Sequence, residues 1–347
     1  QRQMCIRDRH MSDALVSPPV FAAAGAAAVA LLAVSVRQIR RNSEPNTPGS
    51  HSREHIVPLM GVMGAFVFAA QMINFSIPGT GSSGHLVGGI LLAAILGPWA
   101  AFLTLSSVLV IQSLLFADGG FMALGCNILN MAALSCLVAY PLLFRPLFGQ
   151  GKSGGRTLLA SLVACVAALE LGALAVTLET EASGITALPL GRFLLFMLPI
   201  HAFIGIGEGL ATAAVLYVVR RYKPELLAAT GRLRKPRPIG RALAVIAVVA
   251  LAVGASFTWV ASSDPDGLEW SILHTSGQEE PATGQTDGLH ELAAGIQEST
   301  ALMPDYDTTL AGVAGSGAIL LGAFGVAYVL RLAQRKNNGK QASDRTL

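Results

Sequence analysis

The fold class of this chain is decided by residues 85–116, HLVGGILLAAILGPWAAFLTLSSVLVIQSLLF. This stretch holds no Asp, Glu, Lys or Arg, and it exceeds the roughly 20 residues that one helix needs to cross a membrane. Gly97-Pro98 interrupts it, and a helix is expected to break there because proline lacks an amide donor and clashes with the preceding turn. The stretch therefore predicts a tight hairpin of two membrane helices, the first of them short.

Composition extends this prediction to the whole chain. Of the 347 residues, 52% are hydrophobic and 13% are charged, whereas a soluble domain has about 25% charged residues. With a mean hydropathy of +0.56, these values exclude a disordered chain, a coiled coil and a nucleic-acid-binding protein built on basic patches. The roughly 180 apolar residues are enough for around nine spans. We predict an all-α polytopic membrane protein with about nine transmembrane helices, near residues 19–36, 56–75, 85–97, 98–116, 120–143, 157–178, 191–219, 241–261 and 309–330.

The charges of the connecting segments predict the orientation. Four segments are rich in Lys and Arg, namely 37–54, 144–156, 220–241 and 331–347. Four others contain neither residue, namely 76–84, 117–119, 179–190 and 262–308. Basic loops remain in the cytoplasm, and nine spans place every basic segment on one side. The N-terminus is therefore predicted outside and the C-terminus inside.

The first nine residues, QRQMCIRDR, do not fit this orientation. They would place Arg2, Arg7 and Arg9 outside, and they have neither an apolar core nor a signal-peptide pattern. We expect residues 1–9 to be a non-native leader, with the natural chain beginning just before His10.

A change in composition divides the rest of the chain into two modules. Residues 223–240 form a basic linker that contains proline. It separates a predicted seven-helix domain at 10–222 from a two-helix module at 241–335, which is followed by a cytoplasmic tail at 336–347. The two-helix module encloses the acidic outer segment 262–308.

Two histidines are predicted at the outer face. His10 precedes the first span, and His85 opens the third within IPGTGSSGHLVGG. Neutral imidazole is a common ligand of late first-row metals, and a free terminal amine with a deprotonated amide near His10 would complete a square-planar set for Ni(II) or Co(II). The alternative is that His85 caps a helix together with Ser82 and Ser83, while His10 is a surface residue.

Polar residues inside the predicted spans are the remaining candidates. They are Gln71, Asn74, Gln112, Asn127, Asn130, Glu170, His201 and Glu208. Hydrogen bonds between helices are the expected role, since polar groups in hydrocarbon need partners. Close helix packing is expected to explain Gly205, Gly207 and Gly209. A phosphate-binding loop is excluded at GQGKS, residues 149–153, because Pro146 stands where the motif needs glycine.

Three segments resemble the substrate-binding M component of cobalt/nickel energy-coupling-factor (ECF) transporters, the CbiM/NikM family. They are HMSDALVSP at 10–18, PLMGVMGAFVFAAQMINFSIPGTGSSGHLVGG at 58–89 and FADGGFMALGCNILNM at 116–131. The run SSDPDGLEW at 262–270 is similar to the PDGLE-type N component of the same systems. The resemblance covers nearly the whole chain from His10 to about residue 335 and implies an M–N fusion.

The resemblance also implies a metal site. In the family, the divalent ion is held by the mature N-terminal amine and adjacent backbone, and by two histidines that correspond to His10 and His85. With nine residues before His10 no terminal amine lies next to it, so the chain as written is expected to bind metal poorly. Site-lining candidates are Met11, Asn74, Ser83, Asn127 and Asn130. In the outer loop, Asp264, Asp266 and Glu269 are candidates for attracting cations.

The implied function is uptake of Co(II) or Ni(II) across the prokaryotic plasma or inner membrane. The HMSDAL opening and the PDGLE segment favour cobalt, for cobalamin synthesis. The implied partners are a transmembrane T (Q-type) coupling subunit and two cytoplasmic ATPases, with no ATP site in this chain, no catalytic activity and no nucleic acid. Two alternatives stay open from the residues alone. One is an intramembrane metalloenzyme that uses His201, Glu208 and Glu170, although these lack the HExxH spacing; the other is a structural scaffold.

Overall fold

The computed structural model describes residues 10–42, 53–149, 153–227, 240–256, 262, 264–278, 288–303 and 312–322. The predicted leader 1–9, most of the linker 223–240 and the tail 336–347 lie outside the described residues.

The described chain is predominantly helical. Its helices are α1 Pro18–Asn42, α2 Arg53–Gln71, α3 Gly89–Leu96, α4 Pro98–Phe116, α5 Leu124–Asn127, a π-helix Ile128–Phe144, α6 Arg145–Phe148, α7 Gly154–Ser183, α8 Leu190–Tyr222, α9 Gly240–Ser256, α10 Gly267–Ser276, α11 Gly288–Thr300 and α12 Gly312–Gly322. Two short 3₁₀ turns lie at Asp13–Leu15 and Pro224–Leu226. Two short strands, β1 Phe75–Ile77 and β2 Ser82–Gly84, form an antiparallel hairpin.

Several of these helices are membrane spans. Among the described residues, five helical segments are long and apolar enough to cross a bilayer: Pro18–Arg41, Pro98–Phe116, Leu124–Phe148, Gly154–Ser183 and Leu190–Tyr222. Two shorter apolar helices, Ile56–Gln71 and Gly312–Gly322, accompany them. The protein is a multi-pass membrane protein. The count of nine helices, the orientation of the termini and the predicted domain boundaries stay predictions.

The predicted break at Gly97-Pro98 is confirmed. Helix α3 ends at Leu96, and α4 begins at Pro98 in the first helical position, where the missing amide costs nothing. All eight residues of α3 are buried. Because it is only about 12 Å long at 1.5 Å per residue, α3 lies inside the bundle as a short arm.

The region before α3 differs from the sequence prediction. Helix α2 ends at Gln71, the hairpin occupies residues 75–84, and α3 begins at Gly89 after Gly88 in the left-handed region. His85 therefore lies in a loop and does not open a helix. The described chain is mostly helical, as predicted, and these two short strands are the departure from the all-α prediction. The hydropathy windows could not reveal them because the turn GTGSS is short and uncharged.

The two modules pack against each other along their length. Helix α9 packs on α2, α10 on α8, and α11 on α4. Helix α12 also reaches α2, where Ser316 Oγ donates to the Ala65 carbonyl at 3.4 Å. Within the first module, the predicted close packing of Gly205 and Gly209 is confirmed, since a Cβ there would come within 2.7 and 2.8 Å of α7 backbone atoms.

Candidate metal centre

The two candidate histidines lie side by side inside the protein. The rings of His10 and His85 have their centroids 5.3 Å apart and are nearly perpendicular, at 84°. His10 is 4% exposed and His85 is 8% exposed. No side chain caps α3. The alternative in which His10 is a surface residue and His85 a helix cap is therefore wrong.

Each imidazole has a carboxylate at Nδ1. His10 Nδ1 lies 3.0 Å from Asp118 Oδ1, and His85 Nδ1 lies 2.7 Å from Asp266 Oδ2. A carboxylate can only accept hydrogen bonds, so Nδ1 of His85 carries a proton, and in the neutral ring Nε2 carries the lone pair. That Nε2 atom is buried and has no hydrogen-bond partner within the described part of the chain. The arrangement matches histidines that bind a metal through one nitrogen while a carboxylate orients the other.

The surroundings of Asp266 lower the pKa of its carboxyl. Burial alone raises this pKa, but the adjacent His85 and the Leu268 N–H outweigh that effect and leave the pKa below its ordinary value. The contact with His85 thus favours the carboxylate form of Asp266.

Glu208 positions the loop that carries His85. Its Oε2 accepts the Val87 N–H and its Oε1 accepts the Gly88 N–H, each at 3.0 Å. Gln71 adds a third contact, because its Nε2 donates to the Val87 carbonyl at 3.0 Å. Gln112 in turn donates to Gln71 Oε1 at 3.0 Å. The Gln112–Gln71 bond joins two helices, as expected of intramembrane polar residues, whereas Glu208 bonds the loop before α3.

The segment that carries His10 is held by Asn127 and a glycine pair. Asn127 bonds both backbone groups of Met11, while Gly120 N–H donates to the same Met11 carbonyl at 3.0 Å. Gly119 has φ +80°, and a Cβ there would lie 2.8 Å from the His10 Cβ. Glycine is therefore needed at this turn both for its backbone conformation and for space.

A cavity of about 80 Å³ adjoins the two histidines. The polar side chains that line it are His10, His85, Asn127, Asn130, Ser135, His201, Glu208 and Asp266. Met11, Met131 and Met197 contribute to the apolar wall. Met11, Asn127 and Asn130, which were predicted to line the site, therefore lie at the cavity. Asn130 Nδ2 also donates to Glu179 Oε2 at 2.6 Å.

Other predicted residues lie near the site without lining the cavity. Ser83 Oγ donates to the Asp264 carbonyl at 2.8 Å, and the Asn74 carbonyl accepts the Ser262 N–H at 2.8 Å. The Asp264 carboxylate accepts from Ser262 Oγ, and the Glu269 carboxylate accepts the Asp266 N–H. The remaining acidic candidate, Asp266, contacts His85.

Sequence reasoning missed four residues around this site. Asp118, in the connecting segment 117–119, contacts His10. His290 Nε2 lies 3.2 and 3.1 Å from the carbonyls of Asp13 and Val16, and Gln297 contacts the loop of Gly119. Asp13 Oδ1 accepts the Ala123 N–H at 2.9 Å, and burial raises the pKa of this carboxyl above its ordinary value. For Asp118, the sequence pattern that could have indicated a role is a single acidic residue directly before Gly119 and Gly120.

The residues of the metalloenzyme alternative do not form a metal site. His201 and Glu208 both line the cavity, but both oxygens of Glu208 already accept backbone N–H groups. Glu170 Oε1 has no hydrogen-bond partner within the described ranges. No group of three or more His, Cys, Asp or Glu in the residues that the structure covers is placed to hold a metal ion. The side chains that remain as candidate metal ligands are therefore the imidazoles of His10 and His85.

Two family profiles match the chain. Residues 10–226 match the cobalt uptake substrate-specific transmembrane region, CbiM, and residues 240–332 match the PDGLE domain. The first match alone covers more than half of the chain.

Individual proteins match across both modules. The "Probable fused nickel transport protein LarMN" of Lactiplantibacillus plantarum is 32% identical over 96% of this chain and 97% of its own length. The fused nickel transport protein NikMN of Rhodobacter capsulatus is 29% identical over 92% and 95%. A crystal structure of a truncated transition metal transporter is 31% identical, has a TM-score of 0.51, and covers 61% of this chain and 99% of its own.

Proposed function

The chain belongs to the CbiM family of cobalt uptake transmembrane regions, and on that premise we propose that it captures Ni(II) or Co(II) at the outer face for import. The observation that carries this proposal is the buried pair His10 and His85, each with a carboxylate at Nδ1. The hydrogen bond to Asp266 orients the His85 ring, and the two imidazoles would be half of a four-coordinate nitrogen site.

Backbone nitrogen would supply the other half. Among the described residues, His, Cys, Asp and Glu side chains form no group of three that could hold a metal ion, so we propose the amide and the amine at the start of the chain as the remaining ligands. A chain that starts with Met followed by His10 places its amine one residue from the His10 ring. A chain with residues 1–9 does not.

Transport itself would need other subunits. We propose that a transmembrane T component couples this chain to two cytoplasmic ATPases, as in ECF-type transporters, and that this chain contributes no ATP site. The relatives that match both modules have nickel in their names, whereas the family profile is described by cobalt. Both ions are therefore compared in the test.

The test measures Ni(II) and Co(II) binding by isothermal titration calorimetry and metal analysis. The chain with residues 1–9 is compared with one that starts Met-His10. We expect one ion per chain and much tighter binding in the shorter protein. Equal binding by both would overturn the terminal-amine arrangement.

Substitutions then locate the site. His85→Ala should weaken binding by more than about 100-fold, because loss of an outer-shell partner alone typically costs 10–100-fold. His274→Ala is the matched control, since His274 is exposed on α10. His201→Ala should retain the metal. If His201→Ala loses it while His85→Ala keeps it, the transport-site proposal is wrong and the metalloenzyme alternative gains support.

A further inference from the structure

The second module contributes a buried side chain to the candidate metal centre. Asp266 lies 181 residues after His85, yet its Oδ2 is 2.7 Å from His85 Nδ1. Both residues are buried. A contact this short across two modules requires the backbone around Asp266 to be held against the loop of His85.

That backbone is held beside β2 by a single β-bridge. Ser83 and Asp266 form a parallel bridge beside the hairpin, and Ser83 N–H donates to the Pro265 carbonyl at 2.8 Å. Trp270 Nε1 donates to the Thr80 carbonyl in the hairpin turn at 3.1 Å. Residues 264–266 therefore lie along β2, and Asp266 projects towards the residue that follows β2.

We propose that Asp266 is a positioning residue of the metal centre, which fixes the tautomer and orientation of His85 so that Nε2 faces the ion as a lone-pair donor. This inference rests on the proposed function, because it assumes that His85 binds the metal. The proposed role differs from long-range attraction of cations by the loop, because Asp266 acts on His85 through one hydrogen bond. A ligating histidine whose other nitrogen is bonded to a carboxylate is more basic and better oriented than one without that partner.

Asp266 also has a structural role from which this one must be separated. Its Oδ1 accepts the Leu268 N–H at 3.1 Å, so it caps α10. Glu269 completes the capping box by accepting the Asp266 N–H at 3.2 Å. Asparagine caps a helix about as well as aspartate. Asp266→Asn therefore preserves the cap while removing the charge that selects the Nδ1–H tautomer.

The experiment titrates Ni(II) and Co(II) into the full chain, with and without residues 1–9, and records the metal absorption spectrum. Asp266→Asn should weaken binding about 10–100-fold and alter the spectrum, with a thermal midpoint near that of the parent. Glu269→Ala is the matched control, since it weakens the cap of α10 and leaves the Asp266–His85 bond in place. It should bind metal like the parent.

The remaining outcomes test either the role of Asp266 or the proposed function. Parent-like binding and spectrum in Asp266→Asn would overturn the inference, as would an equal loss in Glu269→Ala. Asp266→Asn added to His85→Ala should cause no further loss, because the two residues act through one bond. Retention of metal by His85→Ala would overturn the proposed function as well. Loss in His85→Ala with retention in Asp266→Asn would overturn this inference alone.

Discussion

Asn127 holds Met11 at both of its backbone groups. The Met11 N–H donates to Asn127 Oδ1 and the Asn127 Nδ2 donates to the Met11 carbonyl, each at 3.0 Å. This paired contact joins the start of the π-helix segment to the residue after His10. It fixes the position of the His10 backbone, from which we propose that part of the metal ligation comes.

Asn127→Asp should loosen this attachment. The substitution keeps the size of the side chain but replaces a donor with a carboxylate oxygen that faces the Met11 carbonyl. We expect metal affinity to fall roughly tenfold and the free energy of unfolding to fall by about 1–3 kcal/mol, the usual cost of an unsatisfied buried group. Calorimetric titration and thermal melting in detergent measure both. Unchanged affinity would show that the Met11 segment needs no such anchor.

Gly119→Ala should impair the site more than its backbone strain alone explains. Gly119 and Gly79 have almost the same conformation, φ +80° and +79°, but only at Gly119 would a Cβ meet other atoms, His10 Cβ at 2.8 Å and Asn127 Nδ2 at 3.0 Å. Gly79→Ala is therefore the matched control. Both variants should lose about 1–2 kcal/mol of stability, and only Gly119→Ala should also lose metal binding. Equal binding in the two variants would contradict the close approach to His10.

Glu208→Gln should free the loop of His85. A carboxylate accepts both the Val87 and Gly88 N–H groups, whereas glutamine can accept one and turns an NH₂ group towards the other. Hydrogen exchange should show faster exchange of these two amides, and metal affinity should fall. Glu170→Gln is the control, because it lies in a membrane helix and its Oε1 has no hydrogen-bond partner in the described region. A similar loss in Glu170→Gln would indicate a general charge effect.

Gln297→Glu should loosen the outer loop around Gly119. Gln297 Nε2 donates to the carbonyls of Ser113 at 3.0 Å and Gly119 at 2.9 Å. A carboxylate there would repel both oxygens, so α11 should separate from the end of α4. We expect faster hydrogen exchange over residues 113–120 and several-fold faster release of bound metal. Glu298→Gln, at the exposed neighbouring position, should change neither rate. An unchanged exchange rate in Gln297→Glu would mean that α11 does not brace this loop.

Part of the site was predictable because its signals are local. His10 follows from its place before the first span, His85 follows from its place beside the uncharged segment 76–84, and Asn127 and Asn130 follow from their spacing on one helical face. Asp118 was overlooked because one acidic residue in a short loop is ordinary. The hairpin at 75–84 was overlooked because its strands are three residues each and carry no alternating pattern.

The sequence by itself determined the membrane character, the break at Gly97-Pro98 and the pair of outer histidines. These depend on hydropathy and on proline stereochemistry, which act over a few neighbouring residues. Only the tertiary structure decided that Asp266 meets His85, that Glu208 holds the loop after His85, and that α11 reaches the loop beside His10. Such contacts join residues more than 100 positions apart. They depend on how distant segments pack, both within the first module and between the two modules, which no local pattern encodes.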